Sequence, residues 1–254
     1  MNLKEVIPEH MEGILVVSDI HGDYKRMKKA IDYALANYQF IVFLGDLVDG
    51  GNMPFETVEE VYSLLEKNQA ACVYGNHDYK WYRAIKGAPV QMTEYMTSTI
   101  LDVPNGLEQC FLELYEGILD HDLSYYYMNF DNWHFVHAAM PDRAFTANDD
   151  DLTKEERERM MYGYTNGKRD SRGYPIRLYD WIDYIPKGDK VVIGHDRAPM
   201  GKVFDGRPEM VCGVNGGIAV FTDTGCGKRD DGTLTTTSLL FADGDLIFER
   251  FITY

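Results

Sequence analysis

The 254-residue chain carries 41 Asp and Glu against 25 Lys and Arg, a formal charge of -16 at pH 7. With 45% hydrophobic and 26% charged residues it has ordinary globular usage, which excludes wholesale disorder. The acidity argues against tight binding to duplex nucleic acid, where Lys and Arg must replace condensed counterions.

Cys72, Cys110, Cys212 and Cys226 are scattered without C-x-x-C spacing, so neither a disulfide framework nor a structural zinc site is expected. The first apolar run, Ile14–Val17, is too short for a signal h-region or a membrane span. A soluble cytoplasmic protein with no membrane partner is therefore the expectation.

Gly13–Ser18 reads as a buried strand, and Tyr24–Tyr38 as a helix with Met27, Ile31, Ala34, Leu35 and Tyr38 near helical spacing. Phe40–Leu44 reads as a second strand. Pro54 suits the start of a helix bearing Val58, Val61, Leu64 and Leu65, and Ala70–Tyr74 as a third strand. This alternation implies parallel crossovers in an α/β core. Residues 79–122 look helical, an insert within one domain over 1–254.

Strand patterns follow at Tyr125–Phe130, Trp133–His137, Lys190–Ile193, Ala219–Thr222, Leu234–Ala242 and Leu246–Phe251. Asp243-Gly244 between the last two is a hairpin signal. The charge run Lys154–Arg159 reads as a solvated helical face and Asp149–Asp151 as an exposed turn. The expected architecture is two packed sheets with helices outside.

Each of the first three strands runs into a polar cluster: Asp19-Ile20-His21-Gly22-Asp23, Gly45-Asp46-Leu47-Val48-Asp49-Gly50 and Gly75-Asn76-His77-Asp78. Loops beyond the carboxyl ends of parallel strands form the ligand crevice of an α/β sheet. Two later strands deliver His137 and His195 in the same manner. Asp, His and Asn supply mixed oxygen and nitrogen ligands suited to Mn, Fe or Zn. An extended Asp19–His21 segment would point both side chains the same way.

Singly these signals are weak: Gly-Asn-His-Asp can be a turn, Asp49 a helix N-cap before Pro54, and His195 a core histidine. Their ordered combination carries the inference. His134 alternates away from His137 and reads as structural.

In order, Asp19-x-His21-Gly22, Gly45-Asp46-x-Val48-Asp49, Gly75-Asn76-His77-Asp78, His137-Ala138 and Gly194-His195 resemble the signature of phosphoprotein-phosphatase-type, calcineurin-like metallophosphoesterases. Tyr162-Gly163, Gly173–Arg177, Trp181, Val191–His195 and Thr222–Cys226 are most similar to a bacterial branch. It comprises diadenosine-tetraphosphatase-like enzymes and the phosphatase module of polynucleotide kinase-phosphatases; phage-type serine/threonine phosphatases are also similar. The resemblance implies a four-layer α/β/β/α sandwich of two mixed sheets.

It also implies two divalent metal ions, Mn first, with Fe, Zn, Ni or Co as alternatives. One would be held at Asp19, His21 and Asp46, the other at Asp46, Asn76, His137 and His195. A hydroxide bridging the ions would attack phosphorus in line. His77 is implied as general acid, Asp49 as the group orienting it, Asn76 also as a substrate contact, and Asp223 as support behind the ligands. The family's phosphate-clamping Arg is replaced by Gly50, followed by Gly51. Arg177 matches an arginine of the similar branch and is the first candidate for a phosphate contact, with Arg143 and Arg197 as substitutes. An arginine restored at position 50 is expected to raise turnover if the clamp is merely missing.

The expected activity is phosphomonoester hydrolysis of the protein serine/threonine phosphatase type. The alternatives are symmetrical dinucleoside polyphosphate hydrolysis, removal of phosphate from nucleic-acid ends, and a non-catalytic binding role. The expected partner is a phosphorylated protein or nucleotide, and Tyr79, Tyr162 or Tyr164 could stack on an adenine.

Overall fold

The computed structural model describes residues 1–147, 151–171, 173–202 and 205–254. Of the expected Asp149–Asp151 turn, residues 149 and 150 lie outside the described residues.

The first half follows the sequence pattern: β1 (Gly13–Val17), α1 (Tyr24–Ala36), β2 (Gln39–Phe43), α2 (Pro54–Glu66) and β3 (Ala70–Val73). The Asp23 side chain accepts from the Arg26 amide and caps α1. Pro54 opens α2, but the cap position is Met53, so Asp49 is not an N-cap and is free for other work.

The helical stretch resolves into α3 (Asn76–Ile85), α4 (Glu94–Asp102) and α5 (Glu108–Leu119). α3 starts at Asn76 rather than Tyr79, which puts both Asn76 and His77 in its first turn. Trp81, Met96, Phe111 and Tyr115 of these helices join the apolar cluster that also covers one face of the first sheet.

The expected Tyr125–Phe130 strand is two pieces. β4 (Ser124–Tyr125) pairs with β3, and β5 (Tyr127–Phe130) belongs to the second sheet, so the chain changes sheets at Tyr126. Then come β6 (Trp133–Val136), α6 (Lys154–Tyr162), β7 (Tyr164–Arg169), β8 (Pro175–Leu178) and β9 (Lys190–Ile193). β10 (Glu209–Cys212), β11 (Ile218–Phe221), β12 (Thr235–Ala242) and β13 (Asp245–Thr253) complete the order. α6 opens on a reciprocal Thr153–Glu156 capping box. Asp243 and Gly244 join β12 to β13 with φ of 53° and 89°, the left-handed pair that a tight hairpin needs.

The first sheet runs β13-β12-β1-β2-β3-β4 and the second β10-β11-β9-β6-β5; both are mixed. Period-two alternation builds the layers. Ile14, Val16, Phe40 and Val42 face inward onto Phe135, Val192 and Val220 of the second sheet. Leu15, Val17, Ile41 and Phe43 face outward onto α1 and α2. Beyond the second sheet, Val136, Val191 and Ile193 pack on Met160, Trp181 and Ile182. This is the four-layer α/β/β/α sandwich of two mixed sheets that the sequence led us to expect.

Among the described residues no helix is long and apolar enough to cross a membrane, and all four cysteines are free.

Candidate metal centre

β1, β2 and β3 are parallel in one sheet, and β6, β9 and β11 in the other. Their carboxyl ends meet. The His195 amide, after β9, donates to Asp19 Oδ1 at 2.9 Å, and His137 Nδ1, after β6, donates to the Leu44 carbonyl at 2.8 Å. The Ile20 and His21 amides both donate to the Asp46 carbonyl, at 3.2 and 2.9 Å. All seven expected ligand and acid positions therefore come together.

The loops carrying them are tightly coiled. His21, Asp46, Asp49 and His195 adopt φ of 50°, 52°, 77° and 62°, left-handed values that non-glycine residues rarely take. The segment after Asp19 is thus a turn, not the extended stretch expected. Asp78, wholly buried, holds the Asp46 loop from behind by accepting from the Asp46, Leu47 and Gly75 amides and from the Tyr115 hydroxyl.

Two groups of ligating atoms share Asp46: one with His21 and His77, the other with His137 and His195. Asp19 Oδ2 lies 3.8 Å from His21 Nε2, as does Asp46 Oδ2, and Asp46 Oδ2 is 3.5 Å from His137 Nε2. Asn76 Oδ1 is 3.2 Å from the same His137 nitrogen.

The chemistry of this donor set fits divalent cations. His21 Nδ1 and His137 Nδ1 face backbone carbonyls and must carry the proton, so each Nε2 presents a lone pair. Those lone pairs look at carboxylate and amide oxygens across 3.2–3.8 Å, acceptor against acceptor. Burial keeps the His21 and His195 rings neutral, pushing their pKa values well below the ordinary one. Burial with Asp223 and Asp46 alongside pushes Asp19 up. Burial acts the same way on Asp46, and its net shift is downward only through positive charge on the neighbouring histidines, which rings kept neutral by burial do not supply and a cation would. A cation between these groups removes every such conflict.

His77 stands edge-on to His21, ring centroids 5.1 Å apart. Its Nδ1 meets Asp49 Oδ2 at 2.7 Å, while Asp49 Oδ1 accepts from Trp81 Nε1 and Thr99 Oγ1, both at 2.9 Å. Burial opposes protonation of His77; Asp46 and the Asp49 hydrogen bond outweigh it, and the net shift is upward.

Asp223 serves the turn and the site together: Oδ1 accepts from the Gly225 amide at 2.8 Å, and its charge bears on Asp19. Burial raises its own pKa to about 6. Arg177, on β8, donates to the Tyr162 carbonyl at 3.2 Å and stands 3.7 Å from Asp196, its charge bearing on His195. Arg197 lies 3.9 Å from Asp223. Arg143 pairs with Glu156 of α6 at 3.3 Å. His134 pairs with Asp189 at 3.1 Å, away from the centre.

Position 50 corrects an expectation. A Cβ on Gly50 would lie 2.5 Å from the Gly227 carbonyl oxygen and 2.9 Å from both His21 Cβ and His21 O. Backbone from another loop fills the space, so an arginine cannot simply be restored there. Gly50→Ala is expected to cost about 1–3 kcal/mol of stability, several degrees in Tm by calorimetry, through overpacking. Gly50→Arg should lose activity rather than gain it; an unchanged Tm in either variant would show that the Gly227 loop yields.

The same loop delivers Lys228, a lone lysine in a glycine turn that carries no periodic or motif signal in the sequence.

A calcineurin-like phosphoesterase profile matches residues 13–218, and the chain belongs to that family. It is 30% identical over 200 residues to the asymmetrical bis(5'-nucleosyl)-tetraphosphatase PrpE of Bacillus subtilis (strain 168), covering 71% of this chain and 77% of that one. The PrpE of Bacillus velezensis (strain DSM 23117 / BGSC 10A6 / LMG 26770 / FZB42) is 28% identical over 231 residues, 83% of each chain. Among solved structures, a Saccharomyces cerevisiae protein serine/threonine phosphatase with similarity to human PP5 shares the fold. Its TM-score is 0.57 at 14% identity, covering 95% of this chain and 80% of that one.

Proposed function

We propose that the protein hydrolyses bis(5'-nucleosyl) tetraphosphates asymmetrically, within a single metallophosphoesterase domain spanning 1–254 and in the cytoplasm. Its PrpE relatives carry that activity in their names and specify asymmetric cleavage, where the sequence had suggested the symmetrical kind. One observation on this chain supports a nucleotide in particular. A cavity of about 240 Å³ is lined by Tyr74, Tyr79, Tyr82 and Tyr126 with Leu119 and Asp120. Tyr79 and Tyr82 line it from α3, the helix whose first turn carries Asn76 and His77, and every nucleobase has a face that can stack on tyrosine.

The residues divide the work. Asp19, His21 and Asp46 hold one divalent cation and Asp46, Asn76, His137 and His195 the other, with Mn(II) the first choice for this mixed oxygen and nitrogen set. The ions supply charge neutralisation and an activated water. His77 gives its Nε2 proton to the leaving oxygen, and Asp49 keeps the ring in the tautomer and orientation for that transfer. Asn76 contacts phosphate oxygens, Arg177, held by Asp196 and the Tyr162 carbonyl, lends positive charge from the His195 side, and Asp223 steadies Asp19.

The test offers Mn(II)-loaded protein diadenosine tetraphosphate, p-nitrophenyl phosphate, a phosphoserine peptide and a 5'-phosphorylated oligonucleotide. Diadenosine tetraphosphate should give the highest kcat/KM, with ATP and AMP as products. Tyr79→Ala should raise its KM roughly 5- to 100-fold, the scale of one lost base–aromatic stack, and leave p-nitrophenyl phosphate unaffected. A preference for the phosphopeptide would restore the phosphomonoesterase reading, two molecules of ADP would restore symmetric cleavage, and no turnover with any metal would favour a binding role.

A further inference from the structure

The turn that closes over position 50 runs from Gly225 to Lys228, tied by the Lys228 amide to the Gly225 carbonyl at 3.2 Å. It presses directly on the metal centre. A Cβ on Gly227 would stand 2.5 Å from the His21 carbonyl oxygen and 2.8 Å from His21 Cβ, and Gly227 adopts φ of 64°. Only glycine lets this backbone approach His21 so closely, and the next residue, Lys228, is thereby fixed beside the site.

The Lys228 ammonium lies 3.6 Å from the centroid of the Tyr95 ring on α4. One turn along the same helix, Thr99 donates to Asp49, the partner of His77. Lys228 therefore stands on the side of the site that holds Asp49 and His77, and its positive charge bears on both His21 and His77. Its own surroundings carry Asp46, Asp49 and Asp19, with Arg197 the other cation close enough to act on it.

Among the described residues, this ammonium has no hydrogen bond and no ion pair. The other two cations at the rim are already engaged: Arg177 with Asp196 and the Tyr162 carbonyl, Arg197 with Asp223. A half-buried lysine held over an aromatic ring, facing an anion-binding centre in a chain of charge -16, is a cation kept for a ligand. We propose that Lys228 is the phosphate clamp of this site, its ammonium donating to a non-bridging oxygen of the phosphoryl group on the His21–His77 side. It thus takes up the charge that position 50 has no room to carry. The inference rests on the phosphoesterase chemistry of the family and not on the nucleotide reading.

Orthophosphate is the probe, because it needs neither a base nor a leaving group, so a wrong nucleotide assignment leaves the measurement readable. Calorimetric titration into Mn(II)-loaded protein compares native, Lys228→Met, Lys228→Arg and Arg229→Met, with metal content measured on each. Methionine keeps the stem over Tyr95 and removes only the charge. Lys228→Met should bind orthophosphate at least about tenfold more weakly with unchanged metal content, the scale of one charge-assisted contact. Lys228→Arg should stay within about threefold of native, and so should Arg229→Met, whose native side chain pairs with Asp231. Undiminished binding in Lys228→Met overturns the proposal. So does an equal loss in Lys228→Arg or Arg229→Met, or a loss that tracks metal content.

Discussion

Asp46→Asn is expected to leave a folded protein that no longer retains two divalent cations and has lost more than about a thousandfold in kcat/KM. Among the described residues, Asp46 is the side chain common to both groups that could hold a metal ion. Asparagine preserves the acceptor for the His77 amide at Oδ1, so the α3 start should survive. What it removes is the charge and the second oxygen, the atom that faces His21 at 3.8 Å and His137 at 3.5 Å. Cations in such a site contribute several kcal/mol of transition-state charge stabilisation, and each 1.36 kcal/mol is tenfold in rate.

Metal analysis and calorimetry read the same change without a substrate. Ligands that bind only the folded state raise its stability by mass action, so adding Mn(II) should raise the Tm of the native chain and shift that of Asp46→Asn little. An equal metal-induced shift in both would mean that Asp46 does not bridge the ions.

The convergence of these side chains was legible in the sequence because topology does the gathering. Asp19, Asp46 and Asn76 each follow a parallel strand of one sheet, His137 and His195 each follow one of the other, and packing the two sheets face to face brings those ends together. The apolar spacing of Tyr24–Tyr38 and Val58–Leu65 likewise marks the faces that the first two helices bury, at Met27, Ile31, Ala34, Val58, Val61, Leu64 and Leu65, whereas Leu35 and Tyr38 at the end of the first pattern are exposed. The β7–β8 hairpin was invisible for the converse reason: Tyr164–Arg169 is almost wholly exposed and has no hydrophobic alternation to read. β10, an edge strand with half of its residues exposed, failed the same way. Position 50 exposed a different limit. Local chemistry says only that an arginine is missing, whereas the reason is a glycine turn brought in from residues 225–228. Contacts that are so distant in sequence and made by backbone atoms leave no periodic trace, and Lys228 was overlooked with them.

Asp49→Asn should cut kcat by roughly 10²–10⁴-fold for substrates with poor leaving groups, the range that a positioned general acid contributes. Asp49 is buried and fully used: one oxygen faces His77 Nδ1 at 2.7 Å, the other accepts from Trp81 and Thr99 at 2.9 Å each. An asparagine has only one acceptor oxygen for these three donors. If that oxygen stays with Trp81 and Thr99, the amide NH₂ confronts His77 Nδ1. The ring must then lose the Nδ1 proton, and it donates from a neutral imidazole, a far weaker acid. If the amide flips, the acid is kept but the Trp81 and Thr99 donors are left buried without an acceptor, at about 1–3 kcal/mol for each group. Leaving-group dependence separates the two outcomes. Loss of the acid should be large for an alkyl phosphate and small for p-nitrophenyl phosphate, whose phenolate departs with little proton transfer, at unchanged Tm. A flipped amide should lower Tm by several degrees and spare both rates. Equal loss of rate for the two substrates at native Tm would mean that His77 does not protonate the leaving oxygen.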